Sequence, residues 1–160
     1  EKYVTNLKKS GAYKDELGKA LSDKIYLQKF IFSPNQVFSN DPVEFLIILN
    51  ISGSNRFNDI AVLFSTFAGE RVAILDLREP TGKKYYPDAN GILEIKGVIT
   101  SIPFVEGVYS VGLYLGSDED TKNYLELREL TIMPRNIRSS ALVPYPAASR
   151  GLVNLEYSLN

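Results

Sequence analysis

The side chains of this sequence that are suited to chemistry are carboxylates, guanidinium groups and phenols, because it contains no cysteine and no histidine. Without thiolate and imidazole there is no Ser-His or Cys-His nucleophile activation and no metal site built on those ligands. Paired carboxylates would still suffice for glycoside hydrolysis. The densest acidic run, Asp118–Asp120, lies in a predicted turn that favours solvated charges. We expect neither a cofactor nor a metal ion.

Asp76 and Arg78 form a second charged candidate, at the end of a predicted strand and on the side that faces away from the core. The pair has two interpretations. It is either a structural ion pair or a set of polar contacts for a ligand hydroxyl, and the sequence leaves both open.

Tyr85 and Tyr86 lie in a predicted loop between residues 81 and 90. Exposed tyrosines offer flat apolar rings with a hydroxyl at the edge, and sugars have matching C–H faces and hydroxyl rims. Tyrosine also fills sandwich cores and dimer interfaces, so a ligand contact is only one of the alternatives.

The strand predicted over Val108–Leu115 has two unlike faces, because side chains alternate along a strand. One face is typical of a core and contains Tyr109, Val111, Leu113 and Leu115. The other face combines small residues with an aromatic ring and contains Val108, Ser110, Gly112 and Tyr114. Two very small residues beside a tyrosine predict a shallow trough with an aromatic wall, which suits a flat ligand.

Eight segments are rich in β-branched and aromatic residues and are separated by turn residues. They are Ile25–Phe32, Val43–Ile51, Ile60–Phe67, Arg71–Leu77, Ile92–Ile99, Val108–Leu115, Tyr124–Met133 and Leu152–Leu159. Repeated short strands with this punctuation predict an all-β sandwich or barrel. Val43–Ile51 is predicted to be a central strand, and Thr66–Arg71 to form a hairpin turn.

The 160 residues are enough for one domain with a self-sufficient core. Residues 1–22 are lysine-rich and predict a linker or N-terminal arm, whereas residues 23–160 predict the sandwich. Prolines 134, 144 and 146 separate the last alternating segment, residues 151–159, from the other strands. That segment either pairs with its own sheet or is exchanged with a second copy, so a homodimer is a hypothesis.

The net charge excludes one large class of partner. Eighteen Lys and Arg residues against 19 Asp and Glu residues give a net charge of −1. This charge provides no positive electrostatic field that would attract the phosphate backbone of a nucleic acid. The longest apolar run, Phe45–Leu49, is far below the roughly 20 residues of a membrane helix, so we expect no direct membrane insertion. Because the sequence begins with Glu1 and not with Met, we expect a segment of a longer polypeptide.

Eight segments between roughly Ser22 and Ser158 follow one another in the order found in one known protein family. They are Ile25–Phe32, Asn40–Val43, Asp59–Val62, Thr66–Gly69, Pro103–Leu115, Asn123–Glu126, Leu130–Ile132 and Ser149–Val153. This pattern of apolar residues and a few fixed glycines resembles the C-terminal domain of Wzt-type ATP-binding subunits of polysaccharide ABC transporters.

The resemblance implies an immunoglobulin-like antiparallel β-sandwich of about eight strands that binds the exported glycan, often an O-antigen polysaccharide. It implies a non-catalytic domain whose parent protein carries a nucleotide-binding domain before Glu1 and joins a transmembrane subunit. It places the domain in the cytoplasm, at the inner face of the inner membrane. The sequence has no Gly-x-x-x-x-Gly-Lys-Ser/Thr phosphate loop, so we do not expect this domain to bind ATP.

The resemblance transfers no fixed binding motif, so the candidate site follows from the outward face described above. The expected carbohydrate-binding residues have three roles: the floor, polar contacts and an aromatic rim. In that order they are Ser110, Gly112 and Tyr114, then Asp76 and Arg78, and then Tyr86.

Two other functions are compatible with the same residues. A structural or protein-interaction sandwich would place Tyr85, Tyr86 and Tyr114 in a protein interface and bind no sugar. A glycosidase-like enzyme would need two carboxylates about 5 to 10 Å apart in one cleft.

Overall fold

The computed structural model describes residues 18–134, 143 and 145–160. Within them, nine strands and one helical turn form the regular structure. They are β1 (Lys19–Ala20), β2 (Ile25–Ser33), β3 (Gln36–Phe38), β4 (Val43–Ile51), β5 (Phe57–Ser65), β6 (Arg71–Asp76), β7 (Ile92–Ile99), β8 (Gly107–Ser117), β9 (Thr121–Met133) and α1 (Ala147–Arg150). Seven of the eight predicted segments are strands, and the short β1 and β3 were not predicted.

The strands form two sheets. β1, β2, β4 and β7 make a four-stranded sheet in that order, and β3, β9, β8, β5 and β6 make a five-stranded sheet. All neighbours run antiparallel except β3, which is parallel to β9. From β2 onward the order is that of immunoglobulin domains, with strands A, B and E in one sheet and G, F and C in the other. The predicted all-β, immunoglobulin-like sandwich is confirmed.

The core lies between the sheets and is built from alternate residues of each strand. The inward row predicted for β8 is buried, and so is that of β4: Val43, Phe45, Ile47, Leu49 and Ile51. A line of aromatic contacts joins the two halves, with ring centroids 5.0 to 6.2 Å apart: Phe30, Phe32, Phe64, Phe104 and Tyr109. Such pairs add to the stability that burial of apolar area provides.

Tyr109 fixes the entry into β8. Its hydroxyl donates a hydrogen bond to the backbone oxygen of Val105, at 2.5 Å, and its ring is buried against Phe104. This is the tyrosine corner of immunoglobulin-like domains, in which a tyrosine at the start of strand F donates a hydrogen bond to the backbone a few residues earlier in the chain. Burial raises the pKa of the Tyr109 phenol. The corner therefore sets which face of β8 points outward.

The β5–β6 hairpin predicted from Thr66–Arg71 is confirmed. Thr66 N–H donates to the oxygen of Glu70 at 2.9 Å, and Gly69 N–H donates to the oxygen of Thr66 at 3.0 Å. Gly69 has a φ of 89°, a conformation that a glycine adopts without steric cost.

A bulge of three residues interrupts β9 opposite Gly112. Val111 pairs with Arg128 and Leu113 pairs with Tyr124, so three residues of β9 face the single residue Gly112. Inside the bulge Glu126 has a φ of 53°. Arg128, at its end, donates from Nε to the backbone oxygen of Phe30 at 2.8 Å and so ties the bulge to β2 of the other sheet.

Of the two alternatives for the C-terminal segment, a strand of its own sheet is not seen, since residues 152–159 form no strand within the described part of the single chain. One bridge joins Val153 to Phe104, and Asn154 N–H donates to the oxygen of Pro103 at 2.6 Å. An ion pair between Arg150 and Glu106 anchors the preceding turn. After Asn154 no strand among the described residues pairs with the segment, and exchange with a second copy stays a prediction.

The N-terminal arm lies mostly outside the described residues, since they begin at Gly18. Its described end contributes β1, which pairs through Lys19 and Ala20 with Leu27 and Tyr26. Nothing described in this chain resembles a bilayer-spanning helix in length and hydrophobicity.

Candidate functional site

The outward residues of the five-stranded sheet lie in rows that cross β6, β5, β8 and β9, because neighbouring strands pair residue by residue. The first row contains Asp59, Gly116 and Thr121; the second contains Asp76, Ala61, Tyr114 and Asn123. The third row contains Ile74, Leu63 and Gly112, and the fourth contains Arg71, Ser65, Ser110 and Glu129.

A depression of about 350 Å³ opens on this face, and we call it the trough. Its lining comes mainly from β5 and β6, with one residue each from β8 and β9. The lining residues are Asp59, Ile60, Ala61, Leu63, Arg71, Ile74, Asp76, Arg78, Tyr114 and Asn123.

Aliphatic side chains form the floor of the trough. Ala61 and Leu63 are only 8% and 3% exposed, although both point away from the core between the sheets. Ile74, which lies on β6 opposite Leu63 of β5, is 58% exposed. An exposed isoleucine next to a covered leucine gives the floor an apolar surface that a ligand can reach.

The charged end of the trough is one guanidinium held between two carboxylates. Arg78 Nη2 lies 2.7 Å from Asp76 Oδ2, and Arg78 Nε lies 4.0 Å from Asp59 Oδ1. The backbone N–H of Arg78 also donates to Asp76 Oδ1, at 3.0 Å. The Arg78 side chain, and then its N–H, hold the pKa of the Asp76 carboxyl below its usual value, so Asp76 is ionised at neutral pH.

Tyr114 lies along the sheet surface, in the direction of Gly116. A Cβ atom at Gly116 would lie 3.4 Å from the Tyr114 hydroxyl and 3.1 Å from Asp59 Cβ. The missing side chain at position 116 therefore leaves room for the Tyr114 hydroxyl beside Asp59. This brings the aromatic wall and the charged end of the trough together.

Three of the six predicted site residues line the trough: Tyr114, Asp76 and Arg78. Both interpretations of the Asp76–Arg78 pair remain available, since the ion pair exists and faces the depression. Ser110 lies in the row of the lining residue Arg71 but does not itself line the trough, and it is almost fully buried.

Gly112 lies in the third row but beneath backbone. A Cβ atom there would collide with the carbonyl oxygen of Tyr124 and lie 3.1 Å from Leu125 Cα. The small residue is thus required by the β9 bulge, which covers the position that the sequence assigned to the floor.

Tyr86 lies apart from the trough lining, and its side chain contacts Arg56. Asp118 accepts from Asn58 Nδ2 at 2.7 Å, from Arg56 Nε at 2.6 Å and from Lys84 Nζ at 3.2 Å. The contacts from Asn58, Arg56 and Lys84 hold the pKa of Asp118 well below its usual range. Asp118 is therefore an ion-paired anchor of the β8–β9 turn, and the expectation of a merely solvated acidic run is wrong for this residue.

Sequence reasoning missed seven of the ten lining residues, among them Asp59, Leu63, Ile74 and Asn123. Leu63 lies opposite Gly112, and Asn123 lies opposite Tyr114; both partners were predicted site residues. Ile74 lies opposite Leu63, and Asp59 lies opposite Gly116, two residues from Tyr114. The signal was available in the alternation of β5 and β6, but using it requires the register between strands, which one sequence does not supply.

A second depression of about 460 Å³ lies at one end of the sandwich, beside the turn before β2 and the β8–β9 hairpin. Its rim mixes Asp23, Lys24, Glu119 and Lys122, and the Lys122 ammonium lies 5.4 Å from the centre of the Tyr124 ring. None of the six predicted residues lines it. Within the described residues, no three acidic side chains are grouped as a metal site requires.

Comparisons with known proteins bear on the sandwich as a whole. No protein-family model matches the chain, and no curated protein matches its sequence. Among solved structures, this chain is similar to the crystal structure of the C-terminal domain of Wzt, with a TM-score of 0.60 and 11% sequence identity. The match covers 87% of this chain and 84% of the Wzt chain. The sandwich that carries the trough therefore has the fold of the C-terminal domain of Wzt.

Proposed function

We propose that this chain is a carbohydrate-binding domain that recognises the O-antigen polysaccharide exported by an ABC transporter. The trough carries the proposal, because an aliphatic floor, a tyrosine and an ionised Asp76–Arg78 pair meet in one depression. Sugars place C–H faces on apolar and aromatic surfaces and hydroxyls on charged groups. The fold shared with the C-terminal domain of Wzt supports the assignment to a transporter.

The proposed domain binds its glycan without cleaving it. A glycosidase needs a carboxylic acid whose raised pKa keeps it protonated near neutral pH. In the trough the pKa of Asp76 is lowered by Arg78, so this carboxylate accepts hydrogen bonds and does not donate a proton. ATP hydrolysis belongs to another domain of the parent protein on this proposal. The domain then works in the cytoplasm beside the transmembrane subunit, at the inner face of the inner membrane.

We further propose that the C-terminal segment exchanges between two copies to form a homodimer. Leu155, Tyr157 and Leu159 alternate along the chain and are 83%, 82% and 87% exposed. Alternating apolar residues without a partner strand are suited to pairing with a second copy. Two troughs in one dimer raise the effective concentration for a repeating glycan.

Light scattering over a concentration series tests the dimer. We expect a dimer for the natural sequence and a monomer when Leu155, Tyr157 and Leu159 are all replaced by serine. A natural sequence that stays monomeric at every concentration would contradict strand exchange.

Calorimetric titration with the O-polysaccharide of the source organism, beside an unrelated polysaccharide, tests glycan binding. Tyr114→Ala removes the aromatic wall and is expected to weaken binding about tenfold. Tyr26→Ala is the matched control, since Tyr26 is exposed on the four-stranded sheet. Tyr86→Ala tests the rim role expected from the sequence.

The pattern of losses identifies the site. Saturable binding that Tyr114→Ala weakens and Tyr26→Ala leaves unchanged supports the trough. No binding of either polysaccharide would contradict the proposal and favour the protein-interaction alternative.

A further inference from the structure

The floor of the trough is unusual for a surface that meets only hydroxyl groups. Leu63 is covered on the outer face of the sheet, and the exposed Ile74 side chain stands beside it. A hydroxyl pressed against the Ile74 side chain would lose its hydrogen bonds to water without replacement, which is unfavourable. A methyl group in the same place would lose nothing and would bury apolar area.

The distance from the floor to the charged end matches one sugar unit. Ile74 and Asp76 both face outward and are two residues apart on β6, which separates them by about 7 Å. That is about the span of a single pyranose with its substituents. One ring can therefore contact Ile74 with one substituent and Asp76 with its hydroxyl groups.

The charge at this end selects against acidic sugars. Two carboxylates, Asp59 and Asp76, share the one guanidinium of Arg78, which leaves one negative charge in the group. Arg71, the other cation of the lining, lies two rows away beside Ser65. The group accepts hydrogen bonds from hydroxyls and repels a carboxylate or phosphate placed next to it.

We propose that the trough prefers a neutral pyranose that bears a methyl group, with the methyl against Ile74 and ring hydroxyls on Asp76. This inference rests on the proposed function. The C6 methyl of a 6-deoxyhexose and the methyl of an acetamido group share the required chemistry.

NMR titration of the full chain with matched sugars tests the preference. The pairs are L-rhamnose with L-mannose, D-fucose with D-galactose, and N-acetylglucosamine with glucose, with glucuronic acid as the acidic probe. We expect the methyl-bearing member of at least one pair to bind about fourfold more tightly, the effect of burying one such group. The first two pairs report a deoxy methyl and the third reports an acetamido methyl.

Ile74→Thr is the decisive variant, because it keeps a β-branched side chain while placing a hydroxyl at the floor. It should bring the ratio within the responsive pair close to one, and Val98→Thr on the four-stranded sheet should leave the ratio unchanged. Equal affinities within every pair, a ratio that Ile74→Thr leaves intact, tighter binding of glucuronic acid, or no binding of any of these sugars would each overturn the inference. If the polysaccharide still binds and Tyr114→Ala still weakens it, only this inference fails; if the polysaccharide does not bind, the proposed function fails with it.

Discussion

The outer faces of the two sheets follow the same alternation but have different surfaces. On the four-stranded sheet, Ile31 pairs with Leu46 and Leu46 pairs with Lys96, while Ile48 lies between Lys29 and Glu94. Leu46 and Ile48 each have a long charged neighbour across the strand pair, whose stem can cover them. On the five-stranded sheet, the apolar floor of the trough lies beside small residues instead.

The small residues of the five-stranded sheet make the difference. Ala61 and Gly116 place almost no side-chain volume around Tyr114, whereas the corresponding rows of the four-stranded sheet carry leucine, isoleucine and lysine. Removal of side-chain volume from alternate positions lowers the surface locally without altering the backbone pairing. A sheet face can thus become concave through composition alone.

The largest expected effect compares one glycine from each sheet. A Cβ atom at Gly112 meets the backbone of Tyr124 and Leu125, whereas a Cβ atom at Gly97 meets the ring of Phe45 at 2.8 Å. Backbone in a bulge yields less readily than the end of a side chain, so Gly112→Ala should reduce the free energy of unfolding by about 2–3 kcal/mol. Gly97→Ala should cost less, and urea unfolding measures both. Equal costs would show that the bulge is not fixed by Gly112.

Much of the fold follows from local pattern. Strict alternation in Val43–Ile51 and Val108–Leu115, with glycine and asparagine turns between strands, is enough to predict two-faced strands and a sandwich. The same alternation separated Tyr114 from Tyr109 correctly. These features depend on neighbours within one strand, which the sequence contains.

The missed features depend on pairs of strands. The three residues of β9 that face Gly112 produce a register shift that no single strand reveals, and this shift covers the predicted floor. Ile74 becomes part of the site only because β6 pairs with β5 at Leu63. Leu152–Leu159 has the alternation of a strand but no partner strand among the described residues, so its pattern alone does not say what it pairs with.

The second effect tests whether the charged end of the trough serves binding or structure. Asp76→Asn keeps the shape of the side chain but removes the charge that accepts hydroxyl hydrogen bonds, so glycan affinity should fall about five- to tenfold. Glu94→Gln is the matched change on the four-stranded sheet, where Glu94 Oε1 lies 3.8 Å from Lys96 Nζ. Stability should change little in both variants, because exposed ion pairs contribute little. Calorimetry with the polysaccharide measures the glycan affinity, and urea unfolding measures the stability. Equal affinities in the two variants would show that Asp76 is only structural.

The smallest effect concerns acid, and it distinguishes the anchored end of the five-stranded sheet from the opposite face. Contacts with Asn58, Arg56 and Lys84 place the pKa of Asp118 in the folded chain well below the ordinary value of 3.8. A carboxyl with a depressed pKa stabilises the fold fully above 3.8, and this contribution disappears as the pH falls from 3.8 through the folded-state pKa. The free energy of unfolding should therefore fall less steeply below pH 4 in Asp118→Asn than in the natural sequence, by a modest amount because these groups are exposed. Urea unfolding at a series of pH values from 7 to 2, with Glu94→Gln as the control, measures the slopes. If Asp118→Asn has the slope of the natural sequence, Arg56 and Lys84 do not hold the β8–β9 turn in solution, and the end of the sheet next to Tyr114 is not anchored by this carboxylate.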